Sequence, residues 1–81
     1  MNDVKGTEIL LDNIDKVQKF NSVVLLYPDN HLDLVSGRYR VDAKSLMGIF
    51  SLDLSKPVTL EYKSEYEEIA KGLFAPFLVT K

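Results

Sequence analysis

Apolar and polar positions along this chain alternate, lengthen their period, and then alternate again. Thr7, Ile9 and Leu11 lie on one side of a two-residue repeat, which predicts a short first strand over Thr7–Leu11. From Ile14 the spacing becomes helical. Ile14, Val17, Phe20, Val24 and Leu25 gather on one side of a wheel, predicting a helix with one buried face. Asp12 or Asn13 suits its N-cap, because a short side-chain oxygen accepts from the free amides of the first turn. Asp15 follows where the helix dipole favours negative charge. Pro28 ends the helix, since the residue before a proline leaves the helical region.

His31–Val35 alternates again, with Leu32 and Leu34 on one side. Ser36-Gly37 is a turn, and Arg38–Asp42 alternates with Tyr39 and Val41 inward and Arg38, Arg40 and Asp42 outward. Two such runs around a short Gly-containing turn predict an antiparallel hairpin. Ser45 is the next N-cap, opening the two-turn stretch Leu46-Met47-Gly48-Ile49-Phe50-Ser51-Leu52. Val58–Tyr62 alternates as a fourth strand after Pro57. Ser64 and Glu67, three apart, form a capping-box pattern ahead of a last helix carrying Tyr66, Ile69, Ala70 and Leu73. Gly72 weakens that helix and Pro76 ends or kinks it. The apolar tail Phe77-Leu78-Val79 is expected to pack on the helix or on the sheet, and Phe74–Val79 is a candidate segment for association or swapping between two copies of the chain. The order is βαββαβα. It predicts an α+β domain spanning residues 1–81: a two-layer, open-faced β-sandwich whose four-stranded antiparallel sheet has helices on one face and a wet second face.

Composition narrows the chemistry. The 81 residues are 46% hydrophobic and 27% charged, an ordinary folding composition. A chain of this size buries only about 60–65% of its unfolded surface, so the core is thin. With no cysteine, disulfide scaffolds, thiolate metal sites and cysteine nucleophiles are excluded, and a reducing, cytoplasmic setting is expected. The longest apolar run, Val23–Tyr27, is far short of the roughly 20 residues of a membrane span. Met1–Lys5 lacks a secretory pattern. Twelve acids against ten dispersed bases argue against nucleic acid as a partner. No residue grouping calls for a metal or cofactor.

The run Lys44-Ser45-Leu46-Met47-Gly48-Ile49-Phe50-Ser51-Leu52 resembles the regulatory segment of the histidine-containing phosphocarrier (HPr) family of the bacterial sugar phosphotransferase system. That segment is a Lys-Ser, an aliphatic residue, Met-Gly, two apolar residues and Ser-Leu. The element order is similar to that family's open-faced β-sandwich. The resemblance covers residues 7–75, with strong identity over 36–56. It implies a phosphoacceptor histidine capping the first long helix, with Arg two positions later and Pro one beyond. Here the chain departs: the cap position holds Asn13, the Arg position falls at Asp15 and the Pro position at Lys16, and no histidine occurs before His31. A phosphoryl relay needs an exposed nucleophile and donors or cations to steady the charge. An amide nitrogen is no nucleophile, and Asp12 and Asp15 repel phosphate. The reading is therefore not an enzyme and not a relay, but an HPr-like docking module.

The resemblance further implies that Ser45 is a kinase target, and that the short helix beside the cap is where partner proteins dock. By position that assigns Lys44, Leu46, Met47 and Phe50 to docking, with Ile49 and Leu52 anchoring the helix inward. Beside these stand plainer readings. Ser45 is equally a capping serine worth roughly 0.5–2 kcal/mol, the apolar four are equally core, and Lys44 is equally a solvated lysine. His31 is read as a solvated surface histidine, and Arg38 and Arg40 as an outward strand face. The implied partners are phosphotransferase-system or catabolite-control proteins and a serine kinase. The rivals are a phosphocarrier with an unconventional acceptor (Asp12, Asp15 or His31), an interaction domain with no link to sugar transport, and, last, a small-molecule binding domain.

Overall fold

A computed structural model describes residues 3–79. The elements run β1 (Val4–Ile9), α1 (Ile14–Val24), β2 (Leu32–Ser36), β3 (Tyr39–Asp42), α2 (Leu46–Phe50), β4 (Val58–Lys63) and α3 (Glu67–Leu73), with single 3₁₀ turns at Ser64–Tyr66 and Ala75–Phe77. The fold is α+β. Its antiparallel sheet has the order β1-β4-β2-β3, so β4, last in sequence, pairs on both sides at the centre. The predicted architecture holds, with two 3₁₀ turns added to the element order.

Register explains the two faces. Ile9 lies opposite Val58, Leu60 opposite Leu34, and Tyr62 opposite Leu32, so one face carries an apolar patch that spans β2 and β4 and reaches β1 at Ile9. All six side chains are buried. Val17, Phe20 and Val24 of α1 close over them, together with Ala70, Phe74 and Phe77. Phe20 stacks at 5.2 Å on Phe74 and edge-on at 5.6 Å to Phe77. Each buried large apolar side chain contributes roughly 1.5–3 kcal/mol relative to exposure, so this aromatic cluster is a principal anchor of the fold. The opposite face stays open. There the register places Asp33 between Asp42 and Glu61, and the Arg40 guanidinium donates to Asp33 Oδ2 at 3.2 Å and to Glu61. Both bonds hold the guanidinium above its usual range, the one to Glu61 most, and offset the repulsion of carboxylates set side by side.

Several expectations need correction. The first strand is Val4–Ile9, not Thr7–Leu11, because its ladder with β4 begins at Val4 opposite Lys63. Ile14 and Leu25 stand exposed at the two ends of α1, where the sheet no longer lies beneath; Tyr27, in the turn after α1, takes the inward place. Tyr39 points to the core side but is 68% exposed, since it starts the edge strand beyond the helical layer. Arg38 belongs to the two-residue turn, not to the strand. Gly37 has φ +59° and Arg38 a negative φ, the arrangement of a type II′ hairpin that favours glycine at its first central position.

The capping box does not form. Ser64 opens a 3₁₀ turn, α3 begins at Glu67, and neither start has a side-chain cap. The tail packs on both helix and sheet. Phe77 is buried, Leu10 N–H donates to Phe77 O at 2.9 Å, Val79 N–H donates to Glu8 O at 3.1 Å, and Leu78 bridges Ile9 beside β1. Phe74 and Phe77 are thus spent within one chain instead of being offered to a second copy. Among the described residues no helix is long and apolar enough to cross a membrane.

Candidate functional site

Asp42 and Ser45 together set the start of α2. Asp42 Oδ1 accepts from Lys44 N–H at 2.9 Å and Asp42 O from Ser45 N–H at 2.9 Å, which turns the chain out of β3. Ser45 Oγ then accepts from Gly48 N–H at 3.1 Å, so the serine is an N-cap, with its hydroxyl oxygen engaged and the residue exposed. Gly48 is the residue that fits there. A Cβ at that position would lie 3.2 Å from Ser45 Oγ and 3.2 Å from Val41 Cβ.

Five residues make barely more than one turn, and its faces divide sharply. Ile49 is fully buried and Leu52 nearly so, tying α2 and its exit to the core. Leu46, Met47 and Phe50 are 41%, 86% and 47% exposed. Three large apolar side chains therefore face solvent within five residues, the kind of contiguous patch that marks an interaction surface. Lys44, at the edge of that patch, is not simply solvated: its Nζ donates to Asn30 Oδ1 at 3.2 Å and Asp29 O at 3.4 Å. Nothing in the sequence announced this tie, because the two segments are 14 residues apart and meet only through the sheet.

The α1 cap holds no nucleophile. Asn13 Oδ1 accepts from Lys16 N–H at 2.8 Å, and Asn13 is the cap in preference to Asp12. Asp12 pairs with Lys16 at 3.1 Å and Asp15 with Lys19 at 3.0 Å, each one helical turn apart. A groove of about 450 Å³ beside the cap is lined by Asn13, Lys16, Lys19, Val23, Pro76 and Phe77. Its lysines are already paired with carboxylates.

His31 departs from expectation. It precedes β2, is half-buried, and its Nε2 is shut away from solvent without a hydrogen-bond partner. Its backbone N–H donates to Asp29 Oδ2 at 3.0 Å, the main reason the Asp29 carboxyl sits below its ordinary range, helped by Lys63 Nζ at 3.7 Å. A larger open cleft of about 780 Å³ lies at the hairpin end, between Gly37–Tyr39, Ser51–Asp53 and Lys56–Pro57. Its charges balance: Arg38 and Lys56 face Glu8 and Asp53, and the Asp53 carboxylate is held low by the Ser55 hydroxyl. Among the described residues no three His, Cys, Asp or Glu side chains gather as a metal site.

No family model, no curated protein and no solved structure matches the chain. What the geometry defines is an open-faced α+β domain whose most exposed apolar helix is opened by a capping serine.

Proposed function

We propose that this protein is an HPr-like docking module that does not relay phosphate, acting in the cytoplasm through α2. The observation that carries the reading is the division of α2: Ile49 holds the helix to the core while Leu46, Met47 and Phe50 face outward behind the Ser45 cap. Apolar side chains on a rigidly anchored turn offer a partner protein area at little ordering cost. Met47, unbranched and polarisable, adapts to the partner's shape. Lys44 at the edge of the patch favours a partner with an acidic rim.

Ser45 is the regulatory position in this reading. The residue is exposed beside the patch, and a phosphate there adds close to two negative charges, altering docking by electrostatics and hydration without rebuilding the fold. Asn13 at the α1 cap offers no nucleophile, which is why the module receives partners but passes nothing on. The direct test incubates the protein with ATP and the serine kinase of the phosphotransferase system, then locates any added phosphate by tandem mass spectrometry. One phosphate on Ser45, absent in Ser45→Ala, supports the reading. No incorporation removes the kinase as a partner and Ser45 as its target.

A further inference from the structure

We propose that Met47 is an oxidation site, and that sulfoxide formation there converts the α2 patch from apolar to polar while leaving the fold intact. The consequence for partners rests on the docking reading above; the modification itself does not. Met47 is the most exposed large apolar side chain among the described residues, at 86%, and the chain contains no cysteine to intercept an oxidant first. Its position within the patch matters as much as its exposure. Leu46 precedes it and Phe50 follows three residues on, about one helical turn, so its thioether stands among the only other apolar groups α2 presents to solvent. Ile49, which anchors the helix, is on the buried side and has no oxidisable group.

The chemistry is a two-electron oxygen transfer, with hydrogen peroxide as the oxidant. A sulfur lone pair of Met47 attacks one peroxide oxygen. The S–O bond forms as the O–O bond breaks. The departing hydroxide takes up the remaining proton and leaves as water. The thioether is oxidised and the peroxide reduced, and no other group is consumed. The product carries a strongly polar S–O bond on a flexible stem, which disfavours burial against a partner. Because the side chain is 86% exposed, little of its packing within the domain is lost. The same change in a buried methionine would instead disrupt the core.

The test treats the full chain with dilute hydrogen peroxide and reads four quantities: the site of oxygen addition by tandem mass spectrometry, the thermal midpoint, retention on a phenyl matrix, and the rate of Ser45 phosphorylation by the serine kinase. Expected results are one oxygen on Met47 in the native protein, an unchanged midpoint, and a loss of phenyl retention that reductase treatment reverses. Met47→Leu should keep the retention and lose the peroxide response. Resistance of Met47 until the chain unfolds, a fall in midpoint on oxidation, or unchanged retention would each overturn the proposal. Failure of the kinase to act even on unoxidised protein counts against the docking reading alone, since the first three measurements do not involve it.

Discussion

Tyr62 sits in the central strand with its ring fully buried and its hydroxyl without a hydrogen-bond partner. A buried donor left unmade costs about 1–3 kcal/mol, whereas removing it costs little packing. Tyr62→Phe is therefore expected to stabilise the domain by about 1 kcal/mol, raising the midpoint of a thermal melt by roughly 4–8 °C for a chain of this size. Ser45→Ala should act in the opposite sense, losing about 0.5–2 kcal/mol through the cap alone, before any effect on regulation. Measuring both by denaturant unfolding separates the structural share of Ser45 from its signalling share. At this scale the sequence was informative where a residue acts on near neighbours. The Asn13 and Ser45 caps, each accepting from an amide three residues on, were legible as local chemistry. The enclosure of His31 Nε2 was not, because no pattern of near neighbours around it marks a buried ring nitrogen.

Among the elements, α2 carries the clearest contrast. Ile49→Ala should cost about 2–5 kcal/mol, the range for truncating a buried aliphatic side chain. Met47→Asp should leave unfolding within about 0.5 kcal/mol of the parent, as for other surface substitutions, and should slow phosphorylation of Ser45 by the serine kinase. A parallel loss of stability at Met47 would show the patch to be core. The periods that predicted α1, the hairpin and β4 were sound because each repeats over several residues and each matching face has a partner layer. The departures from the pattern cluster where that layer runs out. Ile14, Leu25 and Tyr39 fit the apolar period, yet they lie at element ends where nothing covers them. The Ser64–Glu67 spacing suggested a cap, but the chain leaves β4 through a 3₁₀ turn that carries Ser64 away from the helix start. The tail's place beside β1 had no local signal; it follows from Phe77 reaching Phe20.

At the scale of the whole molecule, burial of tyrosines predicts how stability depends on pH. Burial, followed by the nearby Asp29 carboxylate, pushes the Tyr27 phenol up to about 12. Burial raises Tyr62 as well. An unfolded tyrosine ionises near its ordinary 10.0, so the folded state holds its proton more tightly. The corresponding stability is complete below pH 10 and is lost as pH rises towards 12. Asp29 and Asp53, both below their ordinary 3.8, work at the other end: their contribution is present above that value and is lost as pH falls below it through their lowered folded values. Thermal melts across this span should show a plateau at neutral pH and a decline on each side, with the alkaline decline shallower in Tyr27→Phe.

The whole molecule is also where the functional claim is decided. The α1 cap is an asparagine whose side chain already accepts from Lys16, the neighbouring aspartates are held in ion pairs, and the Nε2 of the one histidine is closed to solvent. Intact mass after incubation with phosphoenolpyruvate and the first enzyme of the phosphotransferase system puts this to the proof. An unchanged mass, in a reaction where an authentic phosphocarrier is labelled, is the outcome expected of a module that only docks. A phosphoryl group transferred from phosphoenolpyruvate and found on this chain would contradict it.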